Sequence, residues 1–190
     1  MGWFSILSHE SYKLHQYFKT FSYSKKLVLA ALFSALAAIL QSAGNLLPGV
    51  GYVISPFATF PILICTIISI PIGLKSYVLT FFLLILIQPG ESFVFPFTTG
   101  IVGLGIGIAL LILKRRIGII VFTSILLTSG ICFLLFIVHF PVLGPIVSTS
   151  PSLMAIGFIY IFSFAYSWGW GELSRLIFKK WFKLIGKIGK

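Results

Sequence analysis

Residues 27–47 read LVLAALFSALAAILQSAGNLL, with no charge anywhere in the stretch. At about 1.5 Å of rise per residue, a helix of that length crosses the roughly 30 Å hydrocarbon core of a bilayer. Small residues distinguish it: Ala30, Ser34 and Ala38 recur every four positions, and Ala31 and Ala35 make a second row beside them. Flat faces of this kind let helices approach closely where lipid offers no hydrophobic driving force between them. Ala31, Ser34, Ala35 and Ala38 are therefore candidates for a partner interface, and the bland alternative is that the face packs only within its own bundle.

Working outward, the remaining composition belongs to the same class. Of 190 residues 58% are hydrophobic, only 9% are charged and none is Asp, which describes a membrane-embedded chain. The net charge of +11 would point to nucleic acid in a soluble protein, so the placement of the cations decides. Lys13, Lys19, Lys25 and Lys26 precede the first span and Lys75 separates the second from the third. Lys114, Arg115 and Arg116 follow the fourth, and Arg175, Lys179, Lys180, Lys183, Lys187 and Lys190 follow the last. With six spans every one of them falls on the same side, the cytoplasm by the positive-inside rule. Topology accounts for the basicity, and no nucleic-acid partner is expected. The expected fold is an all-α integral membrane protein with six transmembrane helices and both termini cytoplasmic, a multi-pass membrane protein.

Residues 1–26 scatter Leu7, Leu14, Phe18 and Phe21 among His9, Glu10 and lysines. They lack the uninterrupted core of a signal peptide and read as a cytoplasmic interfacial amphipathic segment. Residues 27–170 make the six-helix domain. Its second span, about 53–72, carries Pro56, Pro61 and Pro71 and should be kinked or discontinuous, which is tolerated only where protein or a cavity satisfies the freed backbone groups. A third span at about 77–88 is unusually short and runs into Gln88, Pro89 and Gly90; short or interrupted spans point to a transport site. In the fourth, about 93–113, Gly103 and Gly107 form a GxxxG contact face. A fifth span at about 117–140, an outer loop at 142–152 and a sixth span at about 153–170 follow. Residues 171–190 have the periodicity of a basic amphipathic helix on the inner leaflet, attracted to anionic lipids by about 1 kcal/mol per basic residue.

Carboxylates are few. Glu10 sits in the N-terminal segment, and Glu172 lies three residues before Arg175, the spacing of a surface ion pair. Glu91 is the one acid on the outer half, beside Phe93, Phe95 and Phe97. It reads either as a headgroup-level loop residue or as a lone carboxylate at the mouth of an aromatic-lined pocket, suited to a cationic or hydrogen-bond-donating solute. Gln88, Asn45, Tyr52 and Thr98 could add neutral hydrogen bonds on that side; His139 is either an interfacial cap or a pocket residue. No acid can pair with Glu91, no metal-ligand spacing is present and no nucleophile has a visible base, so neither enzyme, metal nor cofactor is expected. Without a GxxxxGK[ST] loop, active transport would need energy from a partner.

The chain resembles the substrate-binding S components of energy-coupling factor (ECF) transporters. The resemblance rests on AALFSALAAIL at residues 30–40 after a basic flank, with the family's AxxxA pattern at Ala31 and Ala35. A Pro-rich second span and a Gly-rich fourth extend it over roughly residues 25–175. It implies that Ala31 and Ala35 contact a transmembrane scaffold subunit, that the outer loops and later helices enclose a small-molecule solute such as a vitamin, and that two ATPase subunits drive uptake. No outer-loop pattern matches a riboflavin, biotin, thiamine or folate member, so no ligand residues are transferred. The alternative is a non-transport integral membrane protein acting as a partner-binding or assembly factor.

Overall fold

A computed structural model of the chain describes residues 6–47, 49–113, 115–140 and 153–188. These residues form helices and no strand, and six of the helices are long and apolar enough to cross a membrane. In chain order they are α1 (Ile6–Lys19), α2 (Tyr23–Leu46), α3 (Gly51–Ile68), α4 (Ile70–Ile87), α5 (Pro89–Ile112), α6 (Arg116–Ile137) and α7 (Leu153–Ile188). The expected outer loop at 142–152 lies outside the described residues, as do the side chains beyond Trp181.

Local chemistry sets the boundaries. Ser22 opens α2 by accepting a hydrogen bond from the Lys25 backbone N–H at 3.4 Å. Ser69 does the same for α4 at Ile72, 3.3 Å, and Pro71 falls in the first turn, where its missing N–H costs nothing. Two boundaries differ from expectation for that reason. The second span ends at Ile68, and Pro71 starts the next helix instead of kinking this one; the third is a full 18-residue helix and is not short. Lys75 consequently lies early in α4, where its ammonium donates to the Tyr23 hydroxyl.

The second half of α3 is the bundle's axis. Every residue from 61 to 68 is buried, and glycines let its neighbours close in. A Cβ on Gly103 would stand 2.7 Å from the Thr59 carbonyl oxygen, and one on Gly107 would stand 2.5 Å from Thr66 Cβ. The GxxxG face of α5 is thus used to press against α3. Gly73 of α4 meets the other side of Thr66 in the same way. Cys65 is buried, Cys132 is partly buried and both are free thiols.

The described basic side chains gather at one end. There α1 does more than lie on the surface: Ser11, Leu14 and Phe18 are buried, and the His15 ring pairs through Nδ1 with the Ile67 carbonyl at 2.8 Å. At the same end Glu172 binds two arginines, Arg175 at 3.2 Å and the buried Arg116 at the start of α6. The Glu172–Arg175 pair expected on the surface is therefore part of a tie between α6 and α7. No break separates residues 170 and 171, and α7 continues as one 36-residue helix, about 54 Å long.

Candidate functional site

The opposite end holds two breaks in helical backbone, set against each other. Pro56 interrupts α3 with a 3-10 turn at Ser55–Ala58, and Pro96 interrupts α5 with another at Phe95–Phe97. Each break frees carbonyls that cannot stay unpaired at membrane depth. Tyr77 donates its hydroxyl to Pro96 O at 3.0 Å. Tyr166 donates to Pro56 O at 3.5 Å while its own oxygen accepts from Thr59 Oγ1 at 3.2 Å, and Thr98 Oγ1 donates back to Val94 O at 2.7 Å.

Between the breaks lies a cavity of about 610 Å³, within the range typical of small-molecule sites, about 300–1,000 Å³. Its polar floor is Glu91, only 8% exposed. Gln41 Nε2 donates to Glu91 Oε2 at 2.7 Å, and Thr99 Oγ1 donates to Gln41 Oε1 at 2.6 Å. That relay crosses from α2 to both sides of the α5 break and orients the carboxylate. The walls are largely apolar: Leu127 and Ile131 from α6, Phe162 and Tyr166 from α7, and Phe140 beyond the π turn Phe133–Ile137 that ends α6.

Four of the six expected solute-site residues line this cavity: Glu91, Asn45, Tyr52 and Thr98. Glu91 is beneath the mouth rather than at it, whereas Tyr52 is 70% exposed and stands at the rim. Gln88 and His139 do not line it. The Gln88 backbone joins two helices, donating to Leu84 O at 2.7 Å and accepting from Glu91 N at 3.0 Å. His139 is exposed in the left-handed region at φ 56°, and the chain reversal it makes delivers the neighbouring Phe140 to the wall.

The expected partner face divides. Ser34 and Ala38 are fully buried, with Ser34 Oγ bonded to Ala30 O at 2.7 Å and to Ser76 Oγ at 2.8 Å, so the bundle's own α4 covers them. They are not available to a partner. Ala31 and Ala35 point the other way and are exposed, a shallow notch flanked by exposed Val28, Leu32 and Ile39.

Gln41, Thr99, Ser55 and Tyr166 also line the cavity and were not anticipated. Gln41 had a signal: Ser34, Ala38, Gln41 and Asn45 follow i, i+4, i+7, i+11 spacing, so one helical face carries both the buried small residues and two of the cavity's amides. Gln41→Leu is expected to destabilise the protein by about 2–3 kcal/mol, because Glu91 Oε2 loses its donor inside the bundle. Thr99→Val should cost about 1 kcal/mol, since Gln41 can still donate. Thermal unfolding in detergent measures both, and equal losses would contradict this order of the relay. Comparisons with protein families, curated proteins and solved structures give no match for this chain, and the geometry of the cavity is what bears on its function.

Proposed function

We propose that the protein is a membrane-embedded solute-binding subunit, an S component of an ECF-type vitamin or micronutrient uptake transporter in a bacterial cell membrane. The observation that carries this reading is the 610 Å³ cavity with a single oriented carboxylate at the end of the bundle away from the basic residues. Under the positive-inside rule that end faces outward, both termini are cytoplasmic, and the basic continuation of α7 meets anionic lipid. A solute would enter from outside past Tyr52 and Asn45. The exposed Ala31 and Ala35 would receive the transmembrane scaffold subunit, and two ATPase subunits would supply the energy that this chain has no phosphate-binding loop to harvest.

Purification in mild detergent tests the reading. Mass spectrometry of the released small molecules should find one compound at near-stoichiometric amount, and an ATPase-bearing complex should co-purify. A preparation that carries no small molecule and brings down a lone enzyme or a secretion component would favour the assembly-factor alternative.

A further inference from the structure

We infer that the cavity takes an organic monocation, with an ammonium or amidinium group against Glu91 Oε1 and an apolar body against Phe140, Phe162 and Tyr166. This deepens the solute-binding reading and rests on it. The first support is the direction of the hydrogen-bond relay. A Gln carbonyl oxygen can only accept, so with Thr99 donating to Gln41 Oε1 the amide nitrogen must face Glu91, and Oε2 receives its hydrogen bond there. The partner oxygen, Oε1, has no protein donor among the described residues. It lies beside Gly44, where an added Cβ would come within 3.1 Å of it. A side chain more than nine-tenths buried thus presents one unclaimed oxygen at the wall of a cavity.

The second support is the absence of a counter-ion. The sequence contains no Lys or Arg between residues 27 and 74, 76 and 113, or 117 and 174. Of the described cations in between, Lys75 bonds Tyr23 and Arg116 pairs with Glu172, at the other end of the bundle. His139, the outer end's single basic group, is exposed and does not line the cavity. An ionised carboxylate without a partner at membrane depth is costly. A cationic solute would bring the compensating charge, and one carboxylate calls for one cation. An anionic solute would face Glu91 without any basic group to receive it. The apolar walls around this floor suit a solute whose charge is confined to one end.

Three probes of similar size and different charge test this on the full chain in detergent: phenethylammonium, phenethyl alcohol and phenylacetate. Titration calorimetry should show the ammonium binding at least about tenfold more tightly than the alcohol and phenylacetate not binding. Glu91→Gln, which can still accept from Gln41, should retain the alcohol and lose the preference. Gly44→Ala keeps the charge but places a methyl group against Oε1, and should reduce the preference even if Glu91→Gln fails to fold. Alcohol or phenylacetate binding as tightly as the ammonium would overturn the cation assignment, a protonated Glu91 being then sufficient, and would leave solute binding intact. Failure of all three probes to bind would count against both.

Discussion

Gly130→Val is expected to abolish recovery of monodisperse protein from detergent extracts. A Cβ at residue 130 would overlap the Phe97 carbonyl oxygen, and it would also stand 2.9 Å from the carbonyl carbon and 3.2 Å from Phe97 Cα. These are backbone atoms, and they cannot swing aside as a side-chain terminus would. The turn that carries them, Phe95–Phe97, is further fixed by the Tyr77 hydroxyl on Pro96 O at 3.0 Å and by Phe97 stacked on Phe133 at 4.7 Å between ring centroids. Overpacking a core commonly costs about 1–3 kcal/mol, and a backbone clash lies at or beyond the upper end. Total stabilities are only about 5–15 kcal/mol. Gly157→Ala supplies the control: nothing lies within 4 Å of a Cβ there, and removing a helical glycine should be neutral or stabilise by up to about 1 kcal/mol. Size-exclusion profiles of the two variants decide the matter. If Gly130→Val elutes like Gly157→Ala, the close contact between α6 and the α5 break does not exist.

That contact illustrates what the sequence could and could not disclose. Six apolar spans, the discontinuity at Pro56 and the use of Gly103 and Gly107 were legible because each is a local property: length, a missing N–H, or a missing side chain at helical spacing. The third span was misplaced because Pro71 reads as a helix breaker until Ser69 is seen capping the helix in which Pro71 is a first-turn residue. Glu91 stood out as a rare charge, but its hydrogen-bond donor is Gln41, 50 positions away, and pairing at that distance depends on the phase of two helices. His139 drew attention as a titratable group near a span end, whereas its role in the fold is a backbone reversal at positive φ, which composition does not reveal. The two alanine rows of α2 are equally small. What decides which one is buried is Ser34, whose hydroxyl finds Ser76 across the interface, and that choice again needs the partner helix.

On the transporter reading proposed above, Ala31→Trp combined with Ala35→Trp is expected to reduce uptake to background while leaving the bound small molecule in place. Along α2 the alanine notch is separated from Gln41 by six to ten residues, or about 9–15 Å of helix, so indoles added there should not disturb the relay beneath the solute. Both positions are exposed, and in lipid an added ring costs the isolated subunit little. A partner helix that must lie close to the notch meets two indoles instead of two methyl groups, which removes the close van der Waals contact on which association in a membrane depends. Two comparison variants locate the effect. Leu32→Trp changes a neighbouring residue that is already large and 63% exposed, and should transport normally. Ser34→Trp enlarges a buried side chain bonded to Ser76, and should lose solute and fold together. Uptake by cells expressing each variant with the scaffold and ATPases, read beside mass spectrometry of the retained solute, separates coupling from binding. Undiminished uptake by the double tryptophan variant would remove the proposed docking face and leave the cavity and its carboxylate as the whole of the case for transport.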